Sequence, residues 1–332
     1  MTASVQVAIH PSQFPENVRR DLLTSLRTRR VNHKFHYDSV KQAQKWLALH
    51  EAHSPARRDK NCLTTYDEAF IATAKKIKSK SVHVIGLGCG GGQKDGQLMK
   101  QLQARGKKIS CAPCDVSVAM VLVARQAALK ILPAEKCFPF VCDLATADDL
   151  PAQLVTRHPS LVTFFGMIPN FEPHQILPKL TELLRPNDFL LFSANLAPGD
   201  DYAAGMKKIL PQYDNPLTRD WLTAFLFDLG VEPRDGDLRF TIETGGLGLR
   251  RVMAKFHFRR ARRIQVGGEK FSFARGEVVR LFFSYRYTPE RVRKILACYG
   301  LDVGQQWITK SEEEGVFLCR KIRQGGVAAP PK

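Results

Sequence analysis

An α/β fold, with a parallel sheet covered by helices on both faces, is what this 332-residue sequence predicts from three features. Val82 to Ile85 is a short apolar run rich in β-branched residues that stops at five glycines within seven positions, Gly86 to Gly92. A buried parallel strand feeding a tight turn onto a helix has this pattern, because the turn needs dihedrals that residues with a Cβ reach only with strain. Short apolar runs then alternate with helix-length segments as far as Ser193, the rhythm of strands joined by crossover helices. Three of those runs close on a polar residue, Asp115, Asp143 or Asn170, and ligands of such sheets bind beyond the strands' carboxyl ends.

Taken in order, residues 14 to 60 read as helical with a loop around Asn32 to Asp38, and a further helix covers Thr65 to Ile77. Strand Val82 to Leu87 leads into a helix from about Lys94 to Arg105, and strand Lys108 to Pro113 ends at Asp115 before a helix from Val116 to Leu132. Strand Phe138 to Cys142 ends at Asp143 and precedes a helix near Asp148 to His158; strand Leu161 to Gly166 ends at Asn170 and precedes a helix from Pro173 to Leu184. Strand Asp188 to Ser193 follows, and Leu196-Ala197-Pro198-Gly199-Asp200 breaks the rhythm. Leu238 to Ser284 is strand-rich, and a helix from Pro289 to Tyr299 with strands near Val303 to Thr309 and Gly315 to Arg320 completes the sheet.

With 44% hydrophobic and 25% charged residues the chain reads as a soluble globular protein with room for two domains. Its apolar runs fall short of the roughly 18 residues that span a bilayer, and its N-terminus is polar where a signal peptide needs an apolar stretch. A cytoplasmic location without a membrane partner is therefore expected. The eight cysteines are scattered through core-like patterns, which fits reduced, buried thiols. Cys111-Ala112-Pro113-Cys114 has a suggestive spacing, but no second Cys/His pair follows at ligand spacing, so no metal site is expected. The net charge of +18 invites an anionic partner such as nucleic acid. Its basic residues, however, fall in separate clusters: Arg27, Arg29 and Arg30; Arg57, Arg58 and Lys60; Lys75 to Lys80; and Arg259 to Arg263. The run at Lys75 ends a helix, where cations are favourable without any partner, and a solvated basic surface is the simpler reading.

The glycine turn marks a nucleotide cofactor, with Gly86, Gly88, Gly90 and Lys94 as candidate contacts. Gly86, Gly88 and Gly91 also satisfy the dinucleotide pattern, and Asp115 lies near the spacing at which NAD enzymes hold a ribose hydroxyl. Either Asp115 or Asp143 alone is also explained as a helix N-cap. Together with Gly88-Cys89-Gly90 they resemble class I methyltransferases that use S-adenosylmethionine, in which an acid after strand two takes the ribose diol and one after strand three takes the adenine amine.

Further segments narrow the resemblance. Phe164 to Phe171, Asp188 to Asn195 and Gln212-Tyr213-Asp214-Asn215 resemble the histidine-specific Nα-methyltransferase family of the ergothioneine pathway. So do Lys34-Phe35-His36-Tyr37-Asp38 and Ser284-Tyr285-Arg286-Tyr287, and the likeness spans roughly residues 20 to 322. It implies a Rossmann-like methyltransferase domain at 61–196 plus 287–322, an α+β substrate-binding domain at 1–60 plus 197–286, and a disordered tail at 323–332. It also implies that Asn170 and Tyr213 hold the amino and carboxylate groups of an amino-acid-like substrate, with Tyr37 near the amine. The reaction expected is N-methylation of an α-amino group.

The departures bear on the acceptor. Where the family has a Glu-x-Ser motif that reads an imidazole, this chain has Phe282 before Ser284, so an apolar or aromatic acceptor is favoured over histidine. His53-Ser54-Pro55 stands where the family has a tyrosine, and Pro169 replaces the glycine before Asn170. Two other classes compete. A nucleic-acid methyltransferase would use the basic surface, although Ile168-Pro169-Asn170-Phe171 is not the motif of base-directed enzymes. A non-catalytic relative would bind the cofactor alone.

Overall fold

The computed structural model describes residues 5–55 and 59–322. The tail expected at 323–332 and the cluster residues Arg57 and Arg58 lie outside the described residues. Strands β1 (Ala8–Ile9), β2 (Ser81–Leu87), β3 (Lys108–Asp115), β4 (Phe140–Val141), β5 (Ser160–Phe164) and β6 (Phe189–Asn195) run parallel. The intervening strands β7 (Gly236–Thr244), β8 (Arg250–Phe258), β9 (Arg262–Val266), β10 (Glu269–Phe273) and β11 (Val278–Arg286) form separate sheets. β12 (Leu301–Ile308) and β13 (Glu314–Lys321) then complete the first sheet in the order β1-β4-β3-β2-β5-β6-β13-β12, with β13 antiparallel to β6.

Alternation along the strands feeds two apolar cores. On β2, Ile85 and Leu87 face one core and Val82 and Val84 the other; on β6, Leu190, Phe192 and Ala194 oppose Phe189 and Leu191. Because both faces are covered, each strand reads as a nearly unbroken apolar run, as parallel strands do. That sheet carries the class I methyltransferase fold expected from the sequence.

The elements that differ are short or lack apolar periodicity. The third predicted strand pairs only over Phe140–Val141, and the helix expected near Asp148 to His158 is the single turn Leu150–Leu154. The helix expected from Thr65 starts earlier, at Lys60, because the Asp59 carboxylate accepts from the backbone N–H groups of Asn61 and Cys62 and caps it. β1 was not foreseen. It adds part of the 1–60 segment to the edge of the large sheet, beside β4, by a pairing that leaves no local signal.

A three-stranded antiparallel sheet, β11-β8-β7, lies between two apolar cores. From one face Met253, Phe283 and Tyr285 enter the core beneath β6; from the other Ala254, Phe256 and Phe282 pack with Leu26, Trp221 and Phe225 of the helices Pro15–Thr28 and Pro216–Asp228. No helix among the described residues is long and apolar enough to cross a membrane.

Buried histidines make this fold sensitive to acid. His36 donates Nε2–H to the Leu281 carbonyl at 2.7 Å. Burial holds His33 down to about 3 and both His36 and His83 down to about 4. Below pH 6.5 the unfolded chain takes up protons that these folded imidazoles refuse, so their contribution is full above 6.5 and is lost as pH falls. Asp38 and Asp95, pushed up by burial to about 6, act in the opposite sense, since the folded state protonates them first. Asp115, also raised by burial, adds to that side, but the unfolded histidines take up most of their protons between pH 7 and 6 while these folded carboxyls only begin to, so stability in urea is expected to be on the order of 1 kcal/mol lower at about pH 6 than at about pH 7. A flat or rising profile over that interval would contradict these burials.

Candidate active site

Beyond the carboxyl ends of β2, β3 and β5 a cleft opens, and the glycine turn forms its floor. Gly88 and Gly90 sit in the left-handed region, φ 58° and 50°, and both line the cleft. A Cβ on Gly88 would come within 2.5 Å of Met167 Cγ, and one on Gly90 within 3.3 Å of the Trp46 ring. Gly86 has a different role. Its missing Cβ leaves room for the Asp95 carboxylate, which would otherwise be 2.5 Å away, and Gly86 does not line the cleft. Asp95 in turn accepts from Thr163 Oγ1 at 2.7 Å, tying the helix Gln93–Gln103 to β5.

Asp115 braces the turn. Its Oδ2 accepts from the Gly90 N–H at 3.1 Å and its Oδ1 from the Ser117 N–H at 3.0 Å. Burial raises its carboxyl above the usual range, against the opposing pull of the Ser117 and Gly90 N–H groups. Asp143, 4% exposed, closes the same side of the cleft. Its Oδ1 accepts from Ala145 N–H at 2.9 Å, while Oδ2 is buried without a hydrogen-bond partner. Lys34 Nζ lies 3.6 Å from that Oδ2 and pairs more closely with Asp21, at 2.6 Å.

Asn170 ends the short 3-10 turn Ile168–Asn170 after β5 and lines the cleft with Tyr37. The Tyr37 hydroxyl donates to His33 Nε2 at 3.3 Å, and burial raises its phenol well above the ordinary range. Lys94 lines the opposite end, its ammonium donating to the Tyr66 hydroxyl at 2.6 Å and lying 3.7 Å from Glu314; Tyr66 in turn donates to Glu314.

Three of the expected substrate residues form a cluster that does not line this cleft. Tyr213 donates to Ser284 Oγ at 2.9 Å and accepts from Arg286 Nε at 3.1 Å. Arg286 is buried and, among the described residues, has no acid within ion-pair distance. Phe282 stacks on His33 at 5.1 Å between ring centroids and meets Trp221 edge-on at 5.5 Å. Sequence reading missed His33, Trp46, Met167 and Glu314. Met167 lay within a family-like segment and His33 directly before one, whereas Glu314 reaches the cleft only through the β13–β6 pairing.

Asp143 Oδ2, buried without a hydrogen-bond partner among the described residues and 3.6 Å from Lys34, and the Asp115 carboxylate at the glycine turn are acceptors lining the cleft, which suits the amine and hydroxyl donors of the adenosine part of S-adenosylmethionine. Fold and cleft together define an S-adenosylmethionine-dependent class I methyltransferase. Within that class, the chain belongs to the histidine-specific, SAM-dependent methyltransferase family, whose model matches residues 18–215 and 248–321.

Solved structures to which the chain is similar include the CcbJ methyltransferase of Streptomyces caelestis, 12% identical, TM-score 0.40, covering 78% of this chain and 90% of that one. The 1,6-didemethyltoxoflavin-N1-methyltransferase of Burkholderia thailandensis is 11% identical, TM-score 0.42, covering 97% and 94%. The CMeT domain of the citrinin polyketide synthase is 14% identical, TM-score 0.46, covering 86% and 58%. No curated protein sequence matches the chain significantly.

Proposed function

We propose that this methyltransferase transfers methyl to the α-amino group of an amino acid or related small amine whose side chain is apolar or aromatic. The observation that carries the reading is that Asn170 and Tyr37 line the same cleft as Gly88 and Gly90. In it Asp115 would take the ribose diol, Asp143 the adenine amine and Lys94 the methionine carboxylate. S-adenosylmethionine supplies an electrophilic methyl on a sulfonium. The chain's task is then to align an unprotonated amine, and alignment is where most of the rate of such a displacement comes from. The Asn170 carbonyl accepts from the amine N–H and aims its lone pair. Tyr37, whose phenol stays protonated and donates to His33, acts as a positioning group rather than a base. Arg286, which donates to Tyr213 and to the Leu196 and Glu313 carbonyls and has no acid within ion-pair distance among the described residues, places a buried positive charge behind Tyr213 and Ser284 and supports an acceptor that carries a carboxylate.

We assign 61–196 plus 287–322 to the cofactor domain and 1–60 plus 197–286 to substrate binding, with Ala8–Ile9 reaching into the cofactor sheet. Acceptor choice falls to the His33 ring, which lines the cleft, and to Phe282 stacked behind it. A carboxylate at 282 would restore a partner for an imidazole N–H, so Phe282→Glu is expected to raise kcat/KM on histidine about tenfold or more relative to an aromatic amino acid. Competition assays with both acceptors measure this. Unchanged selectivity in a folded variant would remove position 282 from acceptor recognition.

A further inference from the structure

The chain carries a net charge of +18. At the opposite end of the large sheet, where β2, β5 and β6 begin and β13 ends, lies a groove of about 440 Å³. Among the described residues four cations line it, Lys76, Lys78, Arg320 and Lys321, and no acid does. None of the four has an ion-pair partner among the described residues. Lys75, Lys80 and Lys108 flank it, all exposed. Asp188, beside the groove residue Asn187, is buried and already accepts from Ser160 N–H at 2.7 Å and from Arg185. Asp302 stands opposite Arg320 in the β12–β13 register, yet the guanidinium lies over the Phe189 ring, 4.4 Å from its centroid, and not on that acid.

We propose that this groove binds the phosphodiester backbone of a nucleic acid without regard to sequence. Lysine and arginine contacts to phosphate need no base to be read, and Phe189, the one aromatic ring among the described lining residues, is buried under Arg320 and offers no face for stacking. A lipid surface fits less well: none of the exposed large apolar side chains, such as Phe138 and Val123, lines the groove, so nothing there would insert among acyl chains. β2 separates the groove from the glycine turn, and its seven residues span roughly 20 Å. The bound strand is thus docked and not methylated, and the basic surface that suggested a nucleic-acid methyltransferase serves location or assembly instead.

The full chain is titrated into a labelled single-stranded RNA and followed by anisotropy at several salt concentrations. Affinity is expected to fall with salt, with a log–log slope of about −0.7 per phosphate contacted. Lys76→Glu with Lys78→Glu should weaken binding about tenfold or more and flatten the slope by about one unit or more. Arg263→Glu with Lys270→Glu, the same charge change at exposed sites on the β9–β10 hairpin, should leave both nearly unchanged. Cofactor affinity should be retained in each variant, which separates this result from any failure of the catalytic reading. If the glutamate pair fails to fold, Lys76→Gln with Lys78→Gln carries the same test. Absence of salt-dependent binding, equal loss in the two double variants, binding to phosphatidylserine vesicles but not RNA, or methylation of the RNA would each overturn the proposal.

Discussion

Asn170→Ala is expected to reduce turnover by about 10²–10³-fold while leaving S-adenosylmethionine affinity unchanged. The magnitude is that of losing one preorganised polar contact on the reacting group. Asn170 sits where the chain leaves β5, on a 3-10 turn whose backbone is fixed by the Asn170 N–H donating to the Met167 carbonyl at 2.9 Å. The side chain lines the cleft beside Gly166 and Met167 and makes no hydrogen bond among the described residues, so truncation leaves none of their polar groups unpaired. The loss should therefore fall on kcat and on acceptor KM. Equal loss of cofactor affinity would mean that the turn had moved and that Asn170 acts by holding the glycine cradle.

The second large effect is expected at Asp115. Its carboxylate both braces Gly90 and, in the proposed mode, accepts from the ribose diol, so Asp115→Ala removes two charge-assisted contacts to the cofactor and loosens the turn. Each such hydrogen bond is worth about 1.5–3 kcal/mol, and cofactor affinity should fall about 100-fold or more, which corresponds to about 2.7 kcal/mol. Asp115→Asn keeps an oxygen for Gly90 and should lose less. Isothermal titration distinguishes the two variants. Unchanged affinity in Asp115→Ala would exclude the ribose assignment.

The fold was legible because most of its strands are buried on both faces, and burial on both faces writes itself as apolar runs. Val82 to Ile85 and Asp188 to Ser193 could be read directly for that reason. The elements that escaped have no such pattern: Ala8–Ile9 is two residues held by partners at Phe140 and Val141, and the helix start at Lys60 is set by a cap and not by periodicity. The cofactor side of the site was legible in part. Gly88, Gly90, Asp115 and Asp143 converge as local motifs at strand ends. Gly86 belongs to the same motif, yet the space above it is filled by Asp95, a residue that the glycine pattern alone does not single out.

The acceptor side was less legible because distant segments build it. Phe282 and Ser284 point to one face of β11, where Trp221 and Tyr213 arrive from two helices and His33 from the N-terminal segment. No spacing in the sequence relates those positions. Lys34 illustrates the same point: it stands in a family-like segment, but its burial between Asp21 and Asp143 is visible only in three dimensions.

The central claim is that this cleft methylates a small amine carrying a carboxylate. Incubating the protein with S-adenosylmethionine and a panel of free amino acids, with mass spectrometry of every product, tests it most directly. The expected result is one or more methyl masses gained on the α-nitrogen of an aromatic or apolar amino acid, with histidine a poorer acceptor. Binding of the cofactor with no methyl gained by any member of the panel would contradict it.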